Sequence, residues 1–386
     1  MARLGDVFNL QMGKTPARAN ATYWTNGTNA WVSIADLSGY EKYVGDTKEQ
    51  ITDLAVQESG IKAVPADTII MSFKLSLGKT AITKVPIYTN EAIMAFLPTG
   101  KYDVCPDYFF HLFSGRDWSE GTNRAVMGAT LNKATLSNME VVIPPLEEQR
   151  RIAAVLDKVS DLIAKRREQL DKLDLLVKAR FVEMFGDPVS NPHQYPINQL
   201  SEYIEFLTSG SRGWSQYFSD DGEYFITIKN VKNCSISLED VQYIKPPDNA
   251  EAVRTRVKNG DLLISITADL GRTGVVTKEI ADHGAYINQH LTCIRLNREK
   301  LNPLYVAYYM ESPAGKMQFN AKNQAGVKAG LNFNAINSLK LVVPPLEKQG
   351  LFVEFVSQTD KSKLTIRQSL DKLEVLKKAL MQQYFG

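Results

Sequence analysis

Residues 143–186 and 343–386 are one segment written twice, 200 positions apart and without a gap. Fifteen of the 44 aligned positions are identical, nine of them in the last 17, from Leu170/Leu370 to Gly186/Gly386. A repeat this long makes the chain a tandem of two half-molecules, which can fold with internal pseudo-two-fold symmetry. Each copy opens on Pro-Pro (Pro144-Pro145, Pro344-Pro345), runs on without Pro or Gly in the first copy, and stops at Gly186 or Gly386. Proline is tolerated in a first helical turn and glycine commonly ends the last. The pattern predicts two helices of about 36 residues, roughly 54 Å long at 1.5 Å per residue.

The apolar spacing says what kind of helix. Steps of four and three from Ile152 reach Leu156, Val159, Ile163, Arg166, Leu170, Leu173, Val177, Arg180 and Met184, eight of the ten apolar. The second copy gives Phe352, Val356, Thr359, Lys363, Ile366, Leu370, Leu373, Lys377, Leu380 and Tyr384, seven of ten. A 3.5-residue period is a coiled-coil seam. Two matched helices in one chain are expected to pair antiparallel; the alternative is two independent surface helices.

The segments between correspond more faintly. Leu131-Asn132 and Leu331-Asn332 precede apolar runs at 139–143 and 339–343. Residues 31–37 parallel 225–231, 67–72 parallel 261–265, and Gly78-Lys79-Thr80 parallels Gly271-Arg272-Thr273. Short β-branched runs punctuated by Gly, Pro and Asn read as strands; 105–114 and 304–311 read as helices. The expected fold class is therefore α+β: two strand-rich globular domains, 1–143 and 188–343, separated by two long antiparallel coiled-coil segments, 144–187 and 344–386. The helices kept their sequence while the domains drifted, as two readers of different targets would.

Charge excludes little. Lys and Arg number 45 against 43 Asp and Glu, and the four segments carry −1, 0, +1 and +2 in order. A protein gripping DNA alone usually shows a basic footprint, so any such role requires charge gathered on one face or supplied by a partner. No apolar run of about 18 residues suggests a membrane span, and the N-terminus lacks the apolar stretch of a signal peptide. Three distant cysteines (Cys105, Cys234, Cys293) read as buried thiols in a reducing compartment. The cytoplasm is the expected location.

Motifs for catalysis fail on inspection. Gly78-Lys79-Thr80 and Gly13-Lys14-Thr15 look like tails of phosphate loops, but the required earlier glycine is Phe73 in one and Phe8 in the other. His111, His193, His283 and His290 have no metal-ligand spacing. There is no GxSxG elbow and no dinucleotide fingerprint, and the Pro-Pro pairs lack the Asn/Asp-Pro-Pro-aromatic pattern of an amino-methyltransferase. What remains is binding chemistry. Several loops mix Lys or Arg, amides, hydroxyls and Gly, the groups that read base edges and hold phosphates. In the first domain the candidates are Lys14, Thr15, Arg18, Lys74, Lys79, Asn123 and Arg124. In the second they are Ser211, Arg212, Lys229, Asn230, Arg272, Gln324 and Lys328.

Taken together, the chain resembles the specificity subunits of type I restriction-modification systems. The resemblance rests on Leu131-Asn132 followed by 141–150 and the charged helix ending in Phe185-Gly186, on its copy at Leu331-Asn332 and 342–349, on Gly13-Lys14-Thr15-Pro16 with Tyr23-Trp24 and Trp31-Val32, and on 261–265 with Asn288-Gln289-His290. The family's Arg after the second-copy Gln349 is Gly350 here. The resemblance implies that each globular segment is a target recognition domain reading one half of a split, asymmetric site in double-stranded DNA. It implies that the helices set the unread spacer and dock two methyltransferase subunits, joined by restriction/motor subunits, with no membrane involved. It also implies that the chain is non-catalytic and holds no cofactor, S-adenosylmethionine, ATP and Mg2+ belonging to the partners. Two other readings stand beside it: an enzyme in its own right, and a coiled-coil scaffold with peptide-binding domains.

Overall fold

In the computed structural model, residues 1–74, 76–118, 123–125, 128–323 and 330–386 are described, with backbone alone for 123–125 and 128–130. The chain divides into two compact units. Residues 1–167 with 367–386 make the first, and 168–366 the second. The dividing lines fall inside the two long helices, Leu146–Phe185 and Leu346–Phe385.

The first unit is organised around a four-stranded antiparallel sheet in the order Phe8–Met12, Ile93–Pro98, Ile69–Ser72, Thr80–Ile82. Its central strands are almost wholly apolar because both faces are covered. Ile69, Met71, Met94 and Phe96 point into a core with the helix Pro106–Gly115, while Ile70, Ile93 and Ala95 point into a core with Val32 and Leu37. A second sheet, Glu49–Ile51, Asn29–Val32 and Tyr88–Thr89, contains one parallel pairing, Trp31 beside Tyr88.

The second unit repeats this plan. Its four-stranded sheet runs Ile204–Ser209, Leu291–Leu296, Leu262–Ser265, Thr273–Val275, all antiparallel. Leu262, Ile264 and Ile294 face the helix Pro303–Glu311, and Leu263 and Cys293 face the other way. Its second sheet, Phe218–Ser219, Gln242–Ile244, Glu223–Ile226, Ala285–Ile287, again holds one parallel pair, Phe225 beside Tyr286. The apolar runs expected at 139–143 and 339–343 form short strands. Glu140–Val141 pairs with Ala2–Arg3, and Lys340–Val342 with Ile197–Gln199.

Each long helix is 40 residues, longer than the expected 36. The polar stretch after the prolines is already helical, since the Glu148 and Gln149 amides donate to the Pro145 carbonyl at 2.9 and 3.0 Å. Within the first unit the two helices run antiparallel: Arg151 interacts with Tyr384, while farther along Arg167 pairs with Glu374 at 2.8 Å. Within the second unit they do so again, Asp174 pairing with Lys363 at 2.6 Å and Phe181 packing on Phe352. The seam register holds at Ile152, Leu156, Val159, Ile163 and Val177, all buried. Thr359 and Lys363, two of its polar positions, are buried too; Thr359 donates to the Phe355 carbonyl at 2.9 Å. All three cysteines are buried free thiols, and burial pushes the Cys234 and Cys293 thiols well above their ordinary range.

Candidate nucleic-acid interface

Described residues from or beside the loops singled out in the sequence meet at one edge of each unit, around a turn the sequence did not single out in the first unit. There the turn is Thr89-Asn90-Glu91-Ala92. The Asn90 side chain accepts from the Ala92 amide at 2.7 Å, which shapes it as an Asx turn. The Lys14 amide donates to the Thr89 carbonyl at 2.8 Å, and the Phe73 amide to the Ala92 carbonyl at 3.0 Å. The Leu131 amide completes the set by donating to Phe73 at 3.0 Å. Gly13 lies so close to the turn that a Cβ there would come within 2.3 Å of the Thr89 and Asn90 carbonyls, a close approach that only glycine permits.

The second unit builds the same edge from other residues. Its turn is Ile287-Asn288-Gln289-His290, with Asn288 accepting from the His290 amide at 3.2 Å. The Ser211 amide donates to Ile287 at 2.9 Å, the Ile266 amide to His290 at 3.0 Å, and the Leu331 amide to Ile266 at 2.8 Å. Gly210 stands where Gly13 stands, its absent Cβ 2.1 Å from the Asn288 carbonyl.

A second matched device holds the Gly-Lys/Arg-Thr turns. The buried Ser72 hydroxyl accepts from the Lys79 amide at 3.0 Å and donates to the Ser76 carbonyl. Ser265 accepts from the Arg272 amide at 2.9 Å and donates to Asp269. Gly78 and Gly271 have φ of +78° and +76°, the left-handed region glycine favours. Each also lies under a ring, Trp118 in one unit and Phe319 in the other. These are structural turns, not phosphate loops.

The side chains divide into those offered to solvent and those spent on the fold. Arg18 stacks over Trp24 and Trp31, 3.9 and 4.7 Å from the ring centroids, and forks onto Glu49. Lys14 donates to the Ser59 carbonyl, Thr15 to Glu91. Lys74 lies 5.2 Å from the Phe73 ring centroid. Lys79 lines a cleft of about 500 Å³ with Glu41, Arg116 and Trp118. In the second unit the exposed Arg212 donates to Gln289 at 2.6 Å, and Arg272 is paired with Asp269. Lys229 is exposed.

Two expected contacts are corrected. Asn230 is buried because its side chain closes a capping box with Thr227 and donates to the Ser237 carbonyl at 3.2 Å. Ser211 is buried against the Thr255 hydroxyl at 3.1 Å. Both hold loops in place. The backbone of Asn123 and Arg124 forms a strand, Asn123–Ala125, paired with Gly128–Thr130; Gln324 and Lys328 lie outside the described residues. Thr267 was missed: its hydroxyl lies 2.7 Å from His290 Nδ1 and ties two loops together. So was the partner of Arg212, Gln289. The matching Asn90 and Asn288 were the available signal. Among the described residues no group of three or more His, Cys, Asp and Glu is placed to hold a metal ion, and no helix is long and apolar enough to cross a membrane.

One α+β module with a three-loop edge, used twice and joined to repeated helices, defines a tandem recognition protein. The chain belongs to the family described as the type I restriction modification DNA specificity domain, whose model matches residues 1–173 and again 216–376. Among curated relatives it is 28% identical to the type I restriction enzyme MjaIX specificity subunit of Methanocaldococcus jannaschii, over 62% of this chain and 59% of that one. It is 23% identical to the EcoprrI specificity subunit of Escherichia coli, over 90% of this chain and 84% of that one. Its fold is similar to a chain solved in work on complex assembly and conformational transition of the type I R-M system (TM-score 0.62, 19% identity, covering 100% of this chain and 96% of that one). It is also similar to the type I restriction-modification S subunit of M. genitalium (TM-score 0.55, 13% identity, covering 100% and 95%).

Proposed function

We propose that this chain is the sequence-reading, non-catalytic subunit of a type I restriction-modification complex. Each globular segment, 1–143 and 188–343, reads one half of a bipartite, asymmetric site in double-stranded DNA. The helical segments 144–187 and 344–386 fix the unread spacer and dock two methyltransferase subunits, with restriction/motor subunits joining them in the cytoplasm. The relatives named above carry the specificity role in their names, and this chain takes it by kinship.

The observation that carries the reading is the duplicated edge. Its backbone bonds are the same in both units, while its side chains differ: Lys14, Thr15 and Arg18 in one, Arg212 and Gln289 in the other. A fixed frame with exchanged tips is what two readers of unlike half-sites require, because base edges specify while phosphate contacts position. On this reading Lys14, Thr15, Arg18, Lys74, Lys79, Asn123, Arg124, Arg212, Lys229, Arg272, Gln324 and Lys328 face DNA, and Ser211 and Asn230 position the loops beside it.

The test is co-expression with the neighbouring methyltransferase followed by a methylome readout. Methylated adenines in a split motif with a constant gap are expected. A stable complex that methylates a single uninterrupted motif would overturn the two-reader assignment.

A further inference from the structure

The second unit carries a run of cations outside every loop discussed above. From the last turn of the Asn249-capped helix Ala250–Thr255 onward, the chain alternates: Thr255 and Val257 are buried, while Arg254, Arg256 and Lys258 are exposed. With Arg295 from the neighbouring sheet strand they line a cleft of about 470 Å³ floored by Phe206 and walled by Val253. Arg295 lies 5.0 Å from the Phe206 ring centroid and is braced by the buried Asp261 at 2.7 Å. Arg256 pairs with Glu223 at 2.9 Å, and Arg254 stands 3.7 Å from Glu251. The Lys258 ammonium has no ion-pair partner among the described residues, while the Lys258 backbone amide donates to Asp261 at 2.7 Å.

Two observations say what this cleft is for. The first is continuity with the recognition edge. Arg254 donates to the Ser209 carbonyl at 2.9 Å and to the Thr208 hydroxyl, and Thr255 meets Ser211. Arg212 and the cleft are thus consecutive stations on one surface, which extends down the sheet by the four residues from Leu291 to Arg295, about 13 Å at 3.3 Å per residue. The second is that the fold does not need the charges at 256 and 258. Val64 occupies the place of Val257 in the first unit, bonding Ile87 as Val257 bonds Ala285, and its neighbours there are Ala63 and Pro65.

We propose that Arg254, Arg256, Lys258 and Arg295 form a phosphate-binding wing of the second unit, gripping the backbone of duplex DNA beside the bases that the edge reads. The assignment rests on the proposed DNA-reading function and adds a contact that positions without specifying. It also answers the near-neutral charge of the chain, since the grip is local and one-sided.

The experiment measures binding of the full chain, alone and with its methyltransferase, to duplexes of mixed sequence by fluorescence anisotropy across a salt series. Arg256→Gln/Lys258→Gln is expected to weaken every duplex by the same factor and to make the log–log salt dependence shallower by about one for each cation removed. Lys258→Glu, which touches no ion pair, serves as the second variant, with unfolding midpoints confirming that both fold. An unchanged salt slope overturns the wing, and so does a loss confined to particular sequences, which would make these residues base readers. A wild-type chain that binds no duplex under either condition overturns the DNA-reading function itself.

Discussion

The buried side chain of Gln349 accepts a hydrogen bond from the Asn302 amide at 2.8 Å and donates to the Pro344 carbonyl at 2.8 Å. It thereby ties the start of a long helix to the start of Pro303–Glu311. Gln149 does the same in the other unit, accepting from Cys105 at 2.9 Å and donating to Asp103 and Pro144, each at 2.9 Å. The tyrosines Tyr108 and Tyr305 add a parallel clasp, donating to the Val142 and Val342 carbonyls at 3.0 and 2.7 Å. Both glutamines are fully buried, so removing either leaves backbone groups without partners. Gln349→Ala and Gln149→Ala should each cost about 1–3 kcal/mol, lowering the melting temperature by several degrees; an unchanged melting curve would refute the clasp.

Acid should act on the first unit through Asp157. Its carboxylate meets Lys42 at 2.6 Å and the buried His111 at 2.8 Å. Burial alone would raise its pKa, but hydrogen bonds from His111 and Lys42 outweigh that and hold it below the ordinary carboxylate value. A depressed folded pKa means the contribution is present above the unfolded value, about 3.9, and is lost as pH falls through the folded one. Asp157→Asn should lower the urea midpoint at neutral pH and flatten its fall below about pH 4. A variant with the wild-type acid profile would remove Asp157 from this role.

Base reading should be separable by unit. Arg212→Ala or Arg272→Ala is expected to cost about 1–3 kcal/mol in binding if the residue contacts a base and to relax the methylated motif in one half-site only. Arg18→Ala should relax the other half. Changes that appear in both halves after any one substitution would argue against independent readers.

Deleting seven residues from one long helix preserves the seam period and should shorten the recognised spacer or abolish assembly, leaving the bases of each half-site as they were. Methylation with an unchanged gap would show that something other than these helices sets it.

How much of this the sequence discloses depends on the range of the interaction. Period and punctuation are local, so the helix pair, the strands Ile69–Ser72 and Leu262–Ser265 and the helix Pro106–Gly115 were legible to within a few residues. The Gly78 turn is legible as structural from the missing loop glycine, Phe73 standing in its place. The hub turns were harder to see, since their partners lie some 75 positions away in sequence, as between Thr15 and Asn90. Burial of polar groups was invisible too. Asn230 reads as a reader of adenine until its capping box is drawn, and Lys363 reads as a flaw in the seam until Asp174 stands beside it.

The first unit is closed by residues 367–386, distant in sequence from the rest of it. Leu380, Met381, Tyr384 and Phe385 pack onto the core that holds Phe8 and Phe109, and Phe385 meets the Tyr108 ring at 5.3 Å. On the ribosome, where N-terminal domains commonly fold first, this order is reversed. Residues 1–167 emerge before 367–386 and must wait, with part of their apolar surface uncovered, until translation delivers that stretch of helix, whereas the second unit has all its pieces by Ile366.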